Sequence, residues 1–303
     1  MSRSAMALPK TTNIIITLVS KCIPSRSRLM VIEWMLSSTV AGIIVDGLYK
    51  LTAKEKIRTV REFFQENESR IGYIASFLED EKSKAAYRSL IHYRYCRKRS
   101  NVSPFKDKWK TMYLDQELIT PSESEVFIDC GAYTGETSLL FHEYCLAAGR
   151  PAPQCILFEP DAHNRMQLTK NLSKFVNKPI VFPMGLWREA GNLNFSSVDI
   201  SSKIYSAGPE SIAVDSLDHI LETAMIPSVT YIKIDVEGAD LDVLYGARRT
   251  IQKYRPRIAI AIYHTDEHML AIPETIHEMC PEYRFFIRHY TSTERDTVLY
   301  CLP

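Results

Sequence analysis

Two carboxylates stand two positions apart at the end of an apolar run: Asp235 and Glu237 follow Tyr231 to Ile234. If the chain stays extended there, both side chains point the same way. One could then take a proton from a weakly acidic hydroxyl while the other orients it. The alternatives are structural, with Asp235 capping a helix that begins near Gly238 and Glu237 pairing with Lys233. Together the acids could also hold a divalent cation, although we predict no metal site.

A histidine follows the next apolar run along the chain. His264 comes directly after Ile258 to Tyr263, and an imidazole titrates near neutrality, so it is a further candidate for the proton acceptor. A single histidine in such a place can equally be structural. We predict Asp235, Glu237 and His264 as the catalytic residues.

A glycine loop follows an earlier apolar run that ends in an acid. A dinucleotide site would require G-x-G-x-x-G, with pyrophosphate on the helix N-terminus, but Tyr133 takes the place of the middle glycine. Asp129 and Glu136 flank the loop; they would repel a pyrophosphate and suit a ligand with an ammonium and a sulfonium, as in S-adenosylmethionine. The loop residues that we predict to bind this cofactor are Asp129, Gly131, Ala132, Tyr133 and Gly135.

Two later segments extend the predicted cofactor site. Glu159 and Pro160 end the run Cys155 to Phe158, where an acid can accept hydrogen bonds from ribose hydroxyls. The segment Pro183 to Trp187 follows a third run and lies where an adenine ring would be held, although core packing is an alternative for its apolar side chains. From these two segments we predict cofactor contacts by Glu159, Pro160, Met184, Gly185 and Leu186.

The elements that must position these residues change character near Pro121. Residues before it show apolar side chains at helical spacing, whereas after it short apolar runs alternate with helical segments. Alternation of this kind predicts an α/β fold with a doubly wound, mostly parallel seven-stranded sheet. Together with the predicted S-adenosylmethionine loop, this is the Rossmann-like class I methyltransferase fold. We therefore predict a helical N-terminal region over 1–120 and a methyltransferase domain over 121–303. Ligands of such sheets bind at the carboxyl ends of the strands, where the strand order reverses.

Charge and cysteine content exclude several other classes of protein. The chain has 303 residues, with 37 basic and 36 acidic side chains, for a net charge of +1, so we expect no nucleic-acid partner. Its seven cysteines include no Cys-x-x-Cys pair, which favours a cytoplasmic protein without disulfides. Two apolar stretches, at residues 13–20 and 34–45, are shorter than the roughly 20 residues that span a bilayer.

Four segments give the chain its resemblance to a known family. They are Phe127 to Gly135, Phe158 to Pro160, Val214 to Asp218 and Ile232 to Asp240. With these segments the C-terminal part, from about Glu125 to Leu302, resembles the FkbM family of methyltransferases. The resemblance implies methyl transfer from S-adenosylmethionine to an oxygen, often a hydroxyl of a sugar or natural product.

The leading hypothesis is therefore an O-methyltransferase for a small-molecule or glycan hydroxyl. A nitrogen or a protein side chain as acceptor is an alternative within the same class. A scaffold that keeps the fold without catalysis, and a nicotinamide-dependent oxidoreductase, are alternatives from other classes. The acids and glycines of the predicted cofactor site disfavour the scaffold, and Tyr133 disfavours the oxidoreductase.

Overall fold

A seven-stranded sheet forms the centre of the computed structural model, which describes residues 57–198, 201–204 and 210–303. Its strands alternate with helices along the chain, as the sequence predicts, and the prediction of fold class is confirmed. The strands of this main sheet are β1 (Val126–Cys130), β2 (Gln154–Phe158), β3 (Ile180–Phe182), β8 (Tyr231–Ile234), β9 (Arg257–Ala261), β10 (Arg284–His289) and β11 (Thr297–Leu302).

The order of the strands is β10-β11-β9-β8-β1-β2-β3. Neighbours from β9 to β3 pair in parallel, whereas β11 runs antiparallel to both β9 and β10. The chain moves outward from β1 through β2 to β3 and then returns to β8 on the other side of β1. The strand order therefore reverses between β1 and β8, and a ligand site is expected at their carboxyl ends.

The central strands are apolar because both of their faces are covered. Ile128 of β1 pairs with Ile156 on one side and with Ile232 on the other, and all three side chains are fully buried. Near-continuous apolar runs are typical of parallel strands with helices on both faces. Their burial fixes β1 and β8 as a rigid base for the loops that follow them.

Helices precede the main sheet and alternate with its strands. They are α1 (Glu68–Phe77), α2 (Glu81–Cys96), α3 (Glu136–Ala147), α4 (Ala162–Asn171), α5 (Leu217–Thr223), α6 (Asp240–Gly246), α7 (Arg248–Tyr254) and α8 (His268–Met279); residues 57–66 are helical as well. Two short helices, α6 and α7, follow β8, because the chain leaves helical geometry at Ala247 between them.

A small second sheet lies beside the main one, where the sequence predicted only a hairpin near Leu193. Its strands are β4 (Gly185–Leu186), β5 (Gly191–Val198), β6 (Ser201–Ile204) and β7 (Glu210–Asp215), in the order β4-β7-β5-β6. The side chain of Ser216 then caps α5 by accepting a hydrogen bond from the backbone N–H of His219. This sheet brings Gly185 and Leu186 next to the end of β7.

Helices α1 and α2 belong to the same compact unit as the main sheet, which runs from Phe63 to Pro303. Asp80 caps α2 and also accepts a hydrogen bond of 2.7 Å from the buried guanidinium of Arg288 in β10. The hydroxyl of Ser83 in α2 lies 3.0 Å from the same guanidinium. The division at residues 120 and 121 stays a prediction, since residues 1–56 lie outside the described part of the chain.

Within the described residues, every helix is too short or too polar to cross a bilayer. The two apolar stretches at residues 13–20 and 34–45 lie outside that part.

Candidate active site

A cavity of about 250 Å³ lies at the carboxyl ends of β1, β2 and β8, where the strand order reverses. This is the edge at which the sequence places the chemistry. The residues that line it are Met112, Tyr113, Gly131, Ala132, Tyr133, Glu136, Thr137, Phe158, Glu159, Pro160, Asn164, Gly185, Leu186, Ile212, Lys233, Asp235, Val236, Glu237 and Ala239. They include four carboxylates and one lysine.

The glycine loop after β1 can pass the end of β8 only with a glycine at residue 131. Gly131 has a φ of +83°, and a Cβ on it would overlap the backbone oxygen of Asp235. Only glycine adopts such a conformation readily, and only glycine leaves room for the neighbouring chain. At the other end of the loop, Gly135 has a φ of +80° and precedes α3. Gly131 therefore allows the loop to lie directly against the end of β8.

Glu159, after β2, holds the same loop from the other side. Its carboxylate accepts hydrogen bonds from the backbone N–H of Tyr133 at 2.8 Å, from that of Asp161 at 2.9 Å and from Asn164 Nδ2 at 3.3 Å. A carboxylate offers about four acceptor positions, so one position on Oε2 is left for a ligand. Burial raises the pKa of Glu159, against the lowering effect of these donors.

Asp129 has a structural partner instead of a place on the cavity wall. Its carboxylate is fully buried, lies 2.9 Å from Lys233 Nζ and accepts a 2.6 Å hydrogen bond from Ser138. Burial lowers the pKa of Lys233, but the charge of Asp129 outweighs it, and the pKa is raised. The ion pair of Lys233 is with Asp129, whereas the sequence analysis considered Glu237 as its partner. With Lys233 paired, the acids of the cavity outnumber its available cations.

Asp235 lines the cavity next to the glycine loop, and its side chain is oriented by a residue distant in sequence. The hydroxyl of Tyr113 donates a 2.8 Å hydrogen bond to Asp235 Oδ2. Burial raises the pKa of Tyr113, and the charge of Asp235 raises it further, so the phenol remains a donor. Asp235 does not cap the next helix. The helix has no side-chain cap, and the carboxylate of Asp240 instead accepts hydrogen bonds from the backbone N–H groups of Val236 and Gly238 in the preceding loop.

His264 lies beside the acids, behind the cavity wall. Its Nδ1 donates a 2.7 Å hydrogen bond to the buried Asp240, and its Nε2 lies 3.3 Å from Asp235 Oδ1 and 3.7 Å from Glu237 Oε2. Burial lowers the pKa of His264, but the surrounding carboxylates, Asp240 first, raise it to about 9. In the protein alone this imidazole is therefore charged at neutral pH.

The predicted site residues are thus mostly brought together. Of the predicted cofactor residues, Gly131, Ala132, Tyr133, Glu159, Pro160, Gly185 and Leu186 line the cavity. Among the described residues around it, Asp129, Gly135 and Met184 form no part of the wall. Asp235 and Glu237 line the cavity, and His264 touches both from behind.

Met112, Tyr113 and Asn164 are among the cavity residues that the sequence analysis did not identify. Tyr113 and Met112 lie in an irregular segment with no motif, 122 positions before Asp235 in the case of Tyr113. Asn164 lies in the first turn of α4, next to Glu159. His289 and Tyr290, near the end of β10, are fully buried and lie outside the cavity lining, with hydrogen bonds to Thr297 and Tyr300.

The sequence that forms this cavity matches a known protein family. A family model described as the methyltransferase FkbM domain matches residues 129–291, which is more than half of the chain. The chain belongs to the FkbM methyltransferase family. The matched region of this FkbM methyltransferase begins within β1 and ends just after β10. It therefore contains Glu159, Asp235, Glu237 and His264, whereas Met112 and Tyr113 lie before it.

One curated relative is the hexuronic acid methyltransferase AglP of Haloferax volcanii. It is 29% identical over 165 residues, which cover 51% of this chain and 66% of the relative. A solved FkbM methyltransferase from Methylobacillus flagellatus superposes with a TM-score of 0.68 at 24% identity, over 79% of this chain and 60% of the other. Both matches span less than two thirds of the other protein. The structural match shows a shared fold.

Proposed function

We propose that this methyltransferase transfers a methyl group from S-adenosylmethionine to a hydroxyl of a sugar, a glycan precursor or a natural product. The proposal depends on one observation: a single cavity is lined by Glu159 and the glycine loop and also by the acids Asp235 and Glu237. A donor and an acceptor molecule can then be held in line within one cavity, which is the main requirement for methyl transfer.

The donor set of the cavity fits a cationic cofactor. Four acids line the wall, and its one lysine is paired with Asp129, so the cavity favours a sulfonium and an ammonium over a diphosphate. Glu159 has one acceptor position left for a ribose hydroxyl. Gly185 and Leu186 also line the cavity. Their small, apolar surface is proposed to contact the adenine ring of the cofactor. When bound, S-adenosylmethionine supplies a methyl group on a sulfur that leaves as a neutral thioether.

Asp235 and Glu237 are the groups proposed to remove the proton of the acceptor. An alcohol is too weakly acidic to ionise by itself, so a carboxylate within hydrogen-bond reach must take the proton as the new C–O bond forms. Asp235 and Glu237 are placed for this task because both reach the cavity. His264 is placed to hold the two acids rather than to meet the acceptor, and Tyr113 fixes the orientation of Asp235.

The class of acceptor is supported by the relative whose printed name is a hexuronic acid methyltransferase. Carboxylates that face the cavity can accept hydrogen bonds from sugar hydroxyls, which agrees with an acceptor rich in hydroxyl groups. We therefore propose oxygen as the nucleophile. Methylation of a nitrogen or of a protein side chain is the alternative within the class.

Calorimetry tests the cofactor. We expect S-adenosylmethionine and its demethylated product to bind, and NAD not to bind. Glu159→Ala should weaken the binding of S-adenosylmethionine about 10- to 100-fold, the range for a lost hydrogen bond to a charged group. Glu143→Ala is the matched control, since it removes an exposed acid of α3. NAD binding without a response to the other two ligands would end the proposal.

Mass spectrometry tests the reaction. The protein is incubated with S-adenosylmethionine and panels of neutral sugars, uronic acids and glycan precursors, and products are searched for the mass of one added methyl group. Products labelled on oxygen support the proposal. Products labelled only on nitrogen or on protein establish the alternative, and cofactor binding without turnover on any acceptor favours a scaffold.

A further inference from the structure

The Nε2 edge of His264 lies at ion-pair distance from two carboxylates, although Nε2 itself makes no hydrogen bond. Its side chain is only 4% exposed, and its Nε2 lies 3.3 Å from Asp235 Oδ1 and 3.7 Å from Glu237 Oε2. Among the described residues, neither Nε2 nor Asp235 Oδ1 makes a hydrogen bond, although both atoms are buried. Buried polar atoms normally have partners. Nε2 and Asp235 Oδ1 lie close to a carboxylate oxygen of Glu237, and these three atoms could together bind one ligand.

The spacing of these atoms is that of ligands around one small cation. With bonds of about 2.1 Å from metal to oxygen or nitrogen, neighbouring ligand atoms lie about 3.0 Å apart in an octahedron and about 3.4 Å apart in a tetrahedron. The distances from His264 Nε2 to the two carboxylates are close to these values, and all three atoms lie within 4.8 Å of one another.

Asp240 supplies the support that a metal-bound histidine normally has. It accepts a 2.7 Å hydrogen bond from His264 Nδ1 and is itself fully buried. Histidines that bind a metal through one nitrogen usually donate the other N–H to a carboxylate, which fixes both the tautomer and the ring. Backbone N–H groups of Val236 and Gly238 in turn hold Asp240. The ring is therefore fixed with Nε2 directed at the two cavity acids.

We propose that Asp235, Glu237 and His264 bind one divalent transition-metal ion at the acceptor side of the cavity. Two carboxylate oxygens and one imidazole nitrogen suit Mn²⁺, Fe²⁺ or Zn²⁺ better than Ca²⁺, which takes oxygen ligands alone. Three protein ligands leave coordination positions open, as in catalytic sites. Because Asp235 and Glu237 line the cavity, those positions face the acceptor. The sequence-based expectation of no metal site is replaced by this assignment.

The ion has a clear part in the proposed reaction. It would hold the acceptor oxygen and stabilise the negative charge that develops there as the proton leaves. This role depends on the proposed function, whereas binding of the ion is measured on the protein alone.

The experiment uses the full chain after treatment with a chelator. Mn²⁺ is added, and free Mn²⁺ is followed by its electron paramagnetic resonance signal. We expect one equivalent to bind, with affinity at least tenfold weaker in Asp235→Asn and in His264→Gln. Asp240→Asn should weaken binding 10- to 100-fold, as changes next to a ligand typically do. Circular dichroism and thermal unfolding of each variant show whether it is folded.

His268→Gln is the matched control. His268 Nδ1 lies 3.6 Å from Asp240 Oδ2 and is not one of the three proposed ligands, so Mn²⁺ affinity should stay within about threefold of the original protein. Lost affinity in this variant would place the ion elsewhere and overturn the proposal. Failure of the original protein to bind Mn²⁺, or unchanged binding by folded Asp235→Asn, would overturn it as well.

Calorimetry with S-adenosylmethionine on the same chelated sample separates the two proposals. Cofactor binding without Mn²⁺ binding removes the metal site and leaves the proposed function. Mn²⁺ binding without cofactor binding removes the proposed function and leaves the metal site.

Discussion

A Cβ atom on residue 131 would overlap the backbone oxygen of Asp235, so the glycine loop after β1 and the residue that follows β8 are in direct contact. Both the glycine loop and Asp235 therefore require glycine at residue 131 to keep their positions. The loop and the acid meet because the loop follows β1 and Asp235 follows β8, and these two strands are parallel neighbours with their carboxyl ends together.

Gly131→Ala tests this contact. We expect the free energy of unfolding to fall by about 1–2 kcal/mol from the left-handed backbone alone, and by more from the overlap with Asp235. Gly149→Ala is the matched control, because Gly149 has a φ of +70° with no atom near its Cβ position. Urea unfolding of both variants checks the difference; equal losses would contradict a contact between loop and strand.

Lys233→Met should destabilise the fold strongly. Lys233 is the buried partner of Asp129, and removal of one member of a buried ion pair typically costs about 3–5 kcal/mol because the other charge remains. Urea unfolding measures the loss. The double variant Lys233→Met with Asp129→Asn should recover much of it, whereas Lys174→Met, at an exposed position of similar chemistry, should have little effect. No recovery in the double variant would refute an ion-pair role.

Asp235→Asn should separate binding from turnover. Asparagine keeps the shape of the side chain but cannot take a proton, so we expect S-adenosylmethionine affinity within about threefold and turnover lower by about 10²–10⁴. Calorimetry and a methyl-transfer assay check the two values. An unimpaired rate would exclude Asp235 from proton removal.

Tyr113→Phe tests the residue that no motif predicts. It removes the 2.8 Å hydrogen bond to Asp235 but keeps the aromatic ring at the cavity wall. We expect turnover to fall about tenfold, the equivalent of one hydrogen bond of about 1.4 kcal/mol, with cofactor affinity unchanged. Tyr144→Phe is a suitable control, since its hydroxyl bonds to the backbone of Ile119, away from the cavity.

Glu125 should make the stability of the protein depend on pH. Burial acts to raise the pKa of Glu125, but the charge of Arg257 and hydrogen bonds from Thr230 and Ser122 outweigh it, and the pKa is lowered below 4.5. A lowered pKa stabilises the folded state above the pKa of the unfolded chain, and this contribution is lost as pH falls. Glu125→Gln lacks it at every pH. Urea unfolding should therefore show a constant difference between the two proteins above about pH 5 and a shrinking difference below that; a constant difference down to pH 3 would contradict the linkage.

The sequence predicts the fold well because its signals are local. Apolar runs and the glycines of the first loop set β1, β2 and β8 and the turns after them, and parallel strands necessarily bring those turns to one edge. The wall residues Gly131, Glu159 and Asp235 follow from this placement.

Contacts set by tertiary packing could not be predicted in the same way. Tyr113 reaches Asp235 from a segment without periodicity, and the partner of Lys233 is chosen by strand pairing between β1 and β8. Asp129 was predicted as a cofactor contact because of its position next to the loop, but strand alternation turns its side chain inward to Lys233. Asp240 lies within a recognisable motif, yet its contact with His264 depends on where β9 ends.

Tyr113 also has a consequence for how relatives can diverge. It reaches the acceptor side of the cavity from outside the region shared with the family, residues 129–291, and Met112 lies beside it. Substitutions at Met112 or Tyr113 can change the shape of the cavity near Asp235 without changing the strands that precede the acids. A substitution at Met112 or Tyr113 is therefore expected to alter the proposed choice of acceptor while leaving the proposed cofactor contacts of Glu159 and the glycine loop in place.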